Sequence, residues 1–347
     1  MRIDKMSFKK AREELVKQIE KRFSEIKALE KDFEDKFIFL GRDDETFSDI
    51  LPFTVAGVDG GVAKESLVCL DLFLLRPAGV VLKYEWDEEK KKVKCKKVKC
   101  YNKYGNDIRF ESLGKENDEI SSILKFTCKR VLAEFELAEK ICSSDKPDLV
   151  LLHGPLFPHY LKDSIKSQGN KSEDFEELGK IIANLLDFQF STDSFVCGVV
   201  EDTRGRTFVK SVINSERFSD VEILSAIMPK DAITVPVKHE GMDQLKKISK
   251  DFGKIENLSV FYYRPYSEDV PLRIEFVPKK DPVKESLKIA NMLKVQMFPL
   301  RTYAMPWALV EADKLAKISE EESKVLFGHL LCVVNEMLLL RRKKRII

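Results

Sequence analysis

Four common signatures of chemistry are missing from this chain of 347 residues. It has no GxxxxGK(S/T) loop, which excludes a P-loop nucleotide site as far as a motif can. It also lacks a GxSxG elbow, an HExxH pair and a GxGxxG turn that opens a helix after a strand. The seven cysteines are scattered, with Cys95 and Cys100 the one close pair. They spell neither a disulfide framework nor a paired CxxC zinc site, and are expected to be reduced and mostly buried. No apolar run approaches the length of a membrane span, and no basic segment followed by an apolar one opens the chain. The expectation is a cytoplasmic protein with no membrane partner.

Charge is plentiful. Sixty Lys and Arg against 58 Asp and Glu leave a net charge of only +2, although charged residues make up 34% of the chain. Near-neutrality therefore arises from dense opposite charges, and clustering matters more than the sum. Residues 90–99 hold seven lysines, interleaved with Val93, Cys95 and Val98, and residues 341–345 read Arg-Arg-Lys-Lys-Arg. Either cluster could neutralise phosphates. Either is equally readable as a lysine-protected edge strand and a solvated tail.

Hydrophobic spacing orders the chain. Ala11, Leu15, Ile19, Phe23, Ile26, Leu29, Phe33 and Phe37 recur at helical intervals, predicting a long amphipathic helix over residues 5–37 that packs on the domain or pairs with another subunit. Strands are predicted within residues 53–84, as an apolar run ending at Asp59 and further segments at 67–75 and 79–84. A turn at 87–89 then leads into the lysine-rich strand. A helix is expected over 119–142, a buried strand over 148–153, a helix over 172–190 begun by Ser172, and a buried strand over 195–200. Strands at 258–263 and 271–277, a helix at 282–298 and a helical region from 307 to 340, interrupted near Ser319, complete the reading. The economical architecture is one α/β domain over residues 51–335, with a helical arm at 1–50 and a basic tail at 336–347.

Three predicted strand ends carry polar residues: Asp59, His153 and the pair Glu201/Asp202. In open α/β sheets ligands gather beyond the carboxyl ends of strands, so residues distant in sequence can meet there. Asp59 is followed by Gly60 and Gly61, which permit a turn and the close approach of a ligand. Such an acid suits a divalent metal, and the strands behind it match the opening of an RNase H-like fold, an actin-like ATPase fold or a plain hairpin. Glu134 and Glu136 on the intervening helix, and Glu311 and Asp313 on the last one, are further acids. Spacing alone reads them as solvated, His153 as a core histidine and the segment 201–204 as a turn closed by a salt bridge.

The segments Val55-Ala-Gly-Val-Asp-Gly-Gly61, Asp148-Leu-Val-Leu-Leu-His-Gly-Pro-Leu156, Val196-Cys-Gly-Val-Val-Glu-Asp-Thr-Arg204, Leu272-Arg-Ile-Glu-Phe276 and Pro306-Trp-Ala-Leu-Val-Glu-Ala-Asp-Lys-Leu-Ala-Lys-Ile318 occur in an order that resembles the NurA family of nucleases. The resemblance covers roughly residues 53–331. It implies an RNase H-like mixed sheet flanked by helices, manganese-dependent DNA cleavage with Mg2+ as the alternative ion, a homodimer, and partnership with a HerA-type hexameric ATPase in DNA end processing and repair.

Carried over by position, Asp59 matches the family's first metal-binding aspartate, and Glu136 its helix glutamate, with Glu134 as the rival. Two positions depart from the pattern. His153 stands where the family carries an aspartate, and Asp313 follows Ala312 where a histidine is expected. If both face one centre, the exchange is reciprocal and preserves the ligand inventory; imidazole would then favour manganese over magnesium. Under this reading Asp59, Glu136, His153 and Asp313 hold one or two Mn2+ ions, and a bound water attacks phosphorus in line. Arg204, Lys94, Lys96 and Lys97 position the nucleic-acid backbone, while Tyr303 stacks or hydrogen-bonds near the scissile nucleotide. The runner-up that the departures allow is a NurA-like subunit that binds DNA or docks the motor without cleaving, and an RNA-handling relative is a third reading.

Overall fold

The computed structural model describes the chain apart from residues 1–4, 42–46, 48–49, 68–69, 103–107, 115–118, 158–172, 202–203, 240–241, 243–249, 298–302 and 332–347, and apart from the side chains of 5–9, 113–114, 119–125, 173–175 and 330–331. The strands are β1 (Phe37–Phe39), β2 (Phe53–Ser66), β3 (Leu70–Asp87), β4 (Lys92–Tyr101), β5 (Arg109–Gly114), β6 (Leu149–His153), β7 (Phe195–Val200), β8 (Ala232–Thr234), β9 (Val237–Lys238), β10 (Ser259–Arg264) and β11 (Leu272–Phe276). The helices are α1 (Lys5–Lys27), α2 (Glu119–Asp145), α3 (Glu173–Ser191), α4 (Thr207–Ile213), α5 (Asp220–Ile227), α6 (Pro282–Met297), α7 (Trp307–Ala316) and α8 (Glu320–Leu331).

All the strands join one mixed sheet in the order β1-β8-β10-β11-β7-β6-β2-β3-β4, with β5 added on β3 and β9 on β10. At its centre β2, β6 and β7 run parallel; the other pairings are antiparallel. The central strands read as continuous apolar runs because both faces are covered. Ala56, Val58, Val150, Leu152 and Val196 point into a core shared with α2 and α3. The alternate residues Val55, Leu149, Leu151, Cys197 and Val199 point into a second core with α6 and α7. A smaller cluster ties Ile26 and Phe33 to α4, α5 and β10.

Several predicted boundaries shift. The amphipathic pattern over 5–37 divides into α1, a tight 3-10 turn at Glu30–Lys36, and β1, which pairs with β8, so the chain enters the sheet at Phe37. On α1 Leu15, Ile19 and Phe23 remain exposed, while Ile26 is buried. The segments expected at 67–75 and 79–84 belong to the single long strand β3. Nor does β2 stop at Asp59. It continues to Ser66 in unbroken pairing with β3, so Gly60 and Gly61 are extended residues rather than a turn. The last helical region divides into α7 and α8, while Ser172, the loop 169–171 and the basic residues 341–345 lie outside the described residues. Cys128, Cys142 and Cys197 are buried, whereas Cys95 is exposed and Cys100 half-buried; none of these five is in a disulfide. Among the described residues no helix is long and apolar enough to cross a membrane.

Candidate functional site

β6 ends at His153, and beyond that level β2 continues only with β3 and β5, as a three-stranded arm. Asp59 lies at this junction. The register Val58↔Leu152 and His153↔Val199 places Asp59 and His153 side by side, with Glu201 two residues past Val199 on the same face. Three neighbouring strands thus deliver three polar side chains to one rim. His153 Nδ1 is 3.1 Å from Asp59 Oδ2, and its Nε2 is 3.7 Å from Glu201 Oε2. The Tyr303 hydroxyl donates to Glu201 Oε1 at 2.8 Å. Tyr303 is held from behind, because the neighbouring Ala304 N–H donates to Asp269 Oδ2 at 2.7 Å.

A fourth group arrives through the sheet. Gly60 points to the opposite face, toward α2, and a Cβ there would overlap the Glu134 carboxylate. The missing side chain lets Glu134 rise to the level of Asp59, whose Oδ1 accepts the Gly60 N–H at 2.7 Å. The Asp59 and Glu134 side chains are only 7% and 5% exposed. Glu136, two residues on, is 30% exposed and pairs with Arg109 of β5. The helix glutamate that lies against Gly60, beside Asp59, is therefore Glu134, while Glu136 faces Arg109. On the face opposite α2, α7 lies against β2 so closely that a Cβ on Gly57 or Gly61 would overlap the backbone of Ala308 or Ala316. Ala308, Ala312 and Ala316 recur at helical spacing on this buried seam.

The electrostatics follow from burial. Desolvation pushes the Glu134 carboxyl up to about 8 and the Asp59 charge pushes the same way, opposed by Arg130 and His153. Arg130 Nη1 donates to Glu134 Oε1 at 2.7 Å. Hydrogen bonding to Asp59, then to Glu201, raises His153 to about 10 despite its burial, while His153 holds Glu201 below its usual value. Burial, then the Glu201 carboxylate, moves Tyr303 upward. The rim thus carries an imidazole held between two carboxylates that favour its protonated form, beside a third acid whose ionisation burial opposes.

Other predicted residues fall elsewhere. Asp313 is exposed on α7, outside the row formed by Asp59, His153 and Glu201, though its charge reaches Tyr303. Arg204 is exposed and lines a groove between α1 and α5, beside Phe23 and Val221. Lys94, Lys96 and Lys97 stand exposed on β4; Lys97 is bonded to Glu311, which also accepts from Lys314 at 2.8 Å. Sequence reading assigned no role to Arg130 or Asp269 and left Glu201 a candidate without a partner. Glu134 had a legible signal, since it lies three residues from Val131 and four from Ala138, on the buried stripe of α2.

The donor set fits a divalent cation. Asp59 and Glu134 offer hard oxygens in a buried place where two carboxylates need positive charge. His153 fills the span between Asp59 and Glu201, and among the described residues no three His, Cys, Asp or Glu side chains are grouped as ligands of one ion.

No protein of curated function matches the chain by sequence. Among solved structures it is similar to the NurA nuclease from Sulfolobus solfataricus, with a TM-score of 0.62 at 15% identity over 96% of this chain and 99% of that one. It is also similar to NurA bound to dAMP and manganese, with a TM-score of 0.54 at 10% identity over 97% and 99% of the two chains. At such identities these likenesses establish the fold. The NurA domain model matches residues 53–318, from the first residue of β2 to just past α7, and so takes in every strand that builds the rim. A sequence match of that extent makes the chain a member of the NurA family.

Proposed function

We propose that the protein is a metal-dependent DNA nuclease that uses Mn2+, with Mg2+ as the alternative ion. The observation that carries this reading is the meeting of two buried carboxylates, Asp59 and Glu134, across the side-chain gap at Gly60. Family membership supplies the reaction class, and the manganese in a NurA relative supplies the candidate ion. Asp59 and Glu134 would hold the cation, with His153 joining once its ring turns out of the Asp59–Glu201 bridge. A divalent ion in such a place activates water and offsets the charge that builds on a phosphodiester.

The chain's own residues do the rest. Asp59 and Glu134 are fixed by the Gly60 N–H and by Arg130, so their geometry is set before substrate arrives. Tyr303, half-exposed and anchored on Glu201, stands where a nucleotide would approach the rim. Arg204 and the β4 lysines are backbone contacts at greater distance, giving salt sensitivity without base preference. A HerA-type hexameric translocase as partner, a homodimer, a role in DNA end processing and repair, and a cytoplasmic setting complete the proposal. The exposed Leu15, Ile19 and Phe23 on α1 are candidate contacts for a second copy or the motor.

One observation favours a second reading, a subunit that binds DNA without cleaving it: both nitrogens of His153 already face carboxylates. The test is incubation of single- and double-stranded DNA with the protein in Mn2+, in Mg2+ and in chelator, alongside Asp59→Asn. Metal-dependent degradation that the substitution abolishes supports the nuclease; binding without degradation supports the subunit.

A further inference from the structure

β11 carries two charged residues into the interior of the fold. The side chains of Arg273 and Glu275 are 5% and 1% exposed, and Arg273 Nη2 donates to Glu275 Oε1 at 2.6 Å. A buried pair of this kind adds little net stability over apolar residues of the same volume, so packing alone does not account for it. The second carboxylate oxygen has a different partner: Glu275 Oε2 accepts the Leu156 N–H at 3.0 Å.

Leu156 lies three residues past His153, at the far end of a turn. Gly154 takes a φ of +115°, a conformation that L side chains rarely adopt, and its N–H donates to the Val199 carbonyl at 2.7 Å. The chain then crosses β7 at Gly198, where a Cβ would overlap Gly154 O, Pro155 C and Leu156 N. Glu275 is the register partner of Gly198, so its carboxylate stands beside the crossing. His153 pairs with Val199 and shares its face, toward α6 and α7, whereas the turn is held on the opposite face of the sheet, that of Val196.

We infer that Glu275 is a positioning residue: its carboxylate anchors the turn 154–156 and thereby fixes the His153 ring between Asp59 and Glu201. The ionised carboxylate gives the Leu156 amide a charge-assisted bond, and Arg273 keeps that carboxylate in place through its other oxygen. His153 is the last strand residue before the turn, so a slack turn would loosen its contacts with Asp59 Oδ2 and Glu201 Oε2. The part that His153 plays in a reaction rests on the nuclease reading; its placement by Glu275 does not.

The experiment compares two double variants that both remove the buried charges. Arg273→Met with Glu275→Gln keeps an oxygen acceptor for Leu156, and Arg273→Met with Glu275→Leu does not. Amide hydrogen exchange at Leu156 and the nitrogen NMR resonances of the His153 ring are read in metal-free protein, beside kcat and KM for DNA degradation in Mn2+. The Gln variant is expected to keep the unaltered protein's slow exchange, His153 resonances and kcat. The Leu variant should exchange the Leu156 amide at least about tenfold faster, move the His153 resonances toward those of a free imidazole, and lower kcat about 10–100-fold with KM nearly unchanged. Identical resonances and kcat in the two variants would overturn the proposal and leave Glu275 only as the counter-ion of Arg273. A Leu156 amide that exchanges in the unaltered protein as fast as an exposed loop would overturn it without recourse to any variant. If the unaltered protein degrades no DNA, the nuclease reading fails, while the resonances and the exchange rates still decide how His153 is placed.

Discussion

At the centre of the sheet Asp59 and Glu134 keep their carboxylates inside the fold, whereas at its edge β4 sets a row of lysines in solvent. The edge is richer in charge and its charges are cheaply satisfied: Lys97 is bonded to Glu311, Lys99 pairs with Asp145, and Lys83 of the adjoining strand pairs with Glu85. Exposed pairs of this kind contribute about 0–1 kcal/mol each. At the centre a few groups are coupled around two buried carboxylates, so each one changes the ionisation of its neighbours. A run of like charges therefore says less about function than two acids that burial would rather neutralise.

The largest effect should come from the centre. Asp59→Asn is expected to lower Mn2+-dependent DNA degradation by ~10²–10³ or more, the scale of losing a preorganised electrostatic group, with an unchanged circular dichroism spectrum. Activity at the unaltered level would remove Asp59 from the chemistry.

Next comes a comparison within α2. Glu134→Gln should weaken Mn2+ binding by about 10–100-fold, whereas Glu136→Gln, which loses only a surface pair with Arg109, should stay within about twofold. Equal effects would dissolve the distinction between buried and exposed acid. The same variants carry a pH signature in chelator. Because the Glu134 carboxyl is raised from its ordinary 4.5 to about 8, its contribution to stability is fully present below about 4.5 and lost as pH climbs toward 8. The metal-free protein should lose thermal stability across that window, and Glu134→Gln should flatten the loss. A Glu134→Gln profile parallel to that of the unaltered protein would contradict the assignment.

Gly60→Ala sharpens the same contrast with a methyl group. It should displace the Glu134 carboxylate, reduce Mn2+ affinity and cost about 1–3 kcal/mol as an overpacking change. Denaturant melts beside a metal titration read both parts. The smallest effect belongs to the edge. Replacing Lys94, Lys96 and Lys97 together by Gln should leave low-salt degradation within about threefold and lower the salt slope of DNA binding by less than the ~2.7 of three full phosphate contacts, since Lys97 is already tied to Glu311. Loss of activity at low salt would move β4 into the site.

Much of the rim was legible in sequence. The runs ending in His153 and preceding Glu201 are buried on both faces and read as strands from composition alone, so their ends could be located. Less legible was β2 beyond Asp59, because its continuation depends on pairing with β3, itself flanked by β5, rather than on its own residues. β1, β8 and β9 are two or three residues long and exist only through their partners. α5 is marked by the Ser219/Glu222 capping box, a signal written in the sequence itself. Which of Glu134 and Glu136 faces β2 is not legible from position along the chain. The face of the helix, and the side-chain gap at Gly60 that this face meets, sets which of the two is buried against the sheet.

The most direct test is a Mn2+ titration, followed by electron paramagnetic resonance, of the unaltered protein, Asp59→Asn, Glu134→Gln and Glu136→Gln. The account predicts saturable binding in the unaltered protein and in Glu136→Gln, and binding weakened at least tenfold in the other two. Indistinguishable binding in all four proteins would contradict the claim that Asp59 and Glu134 form the cation-holding centre.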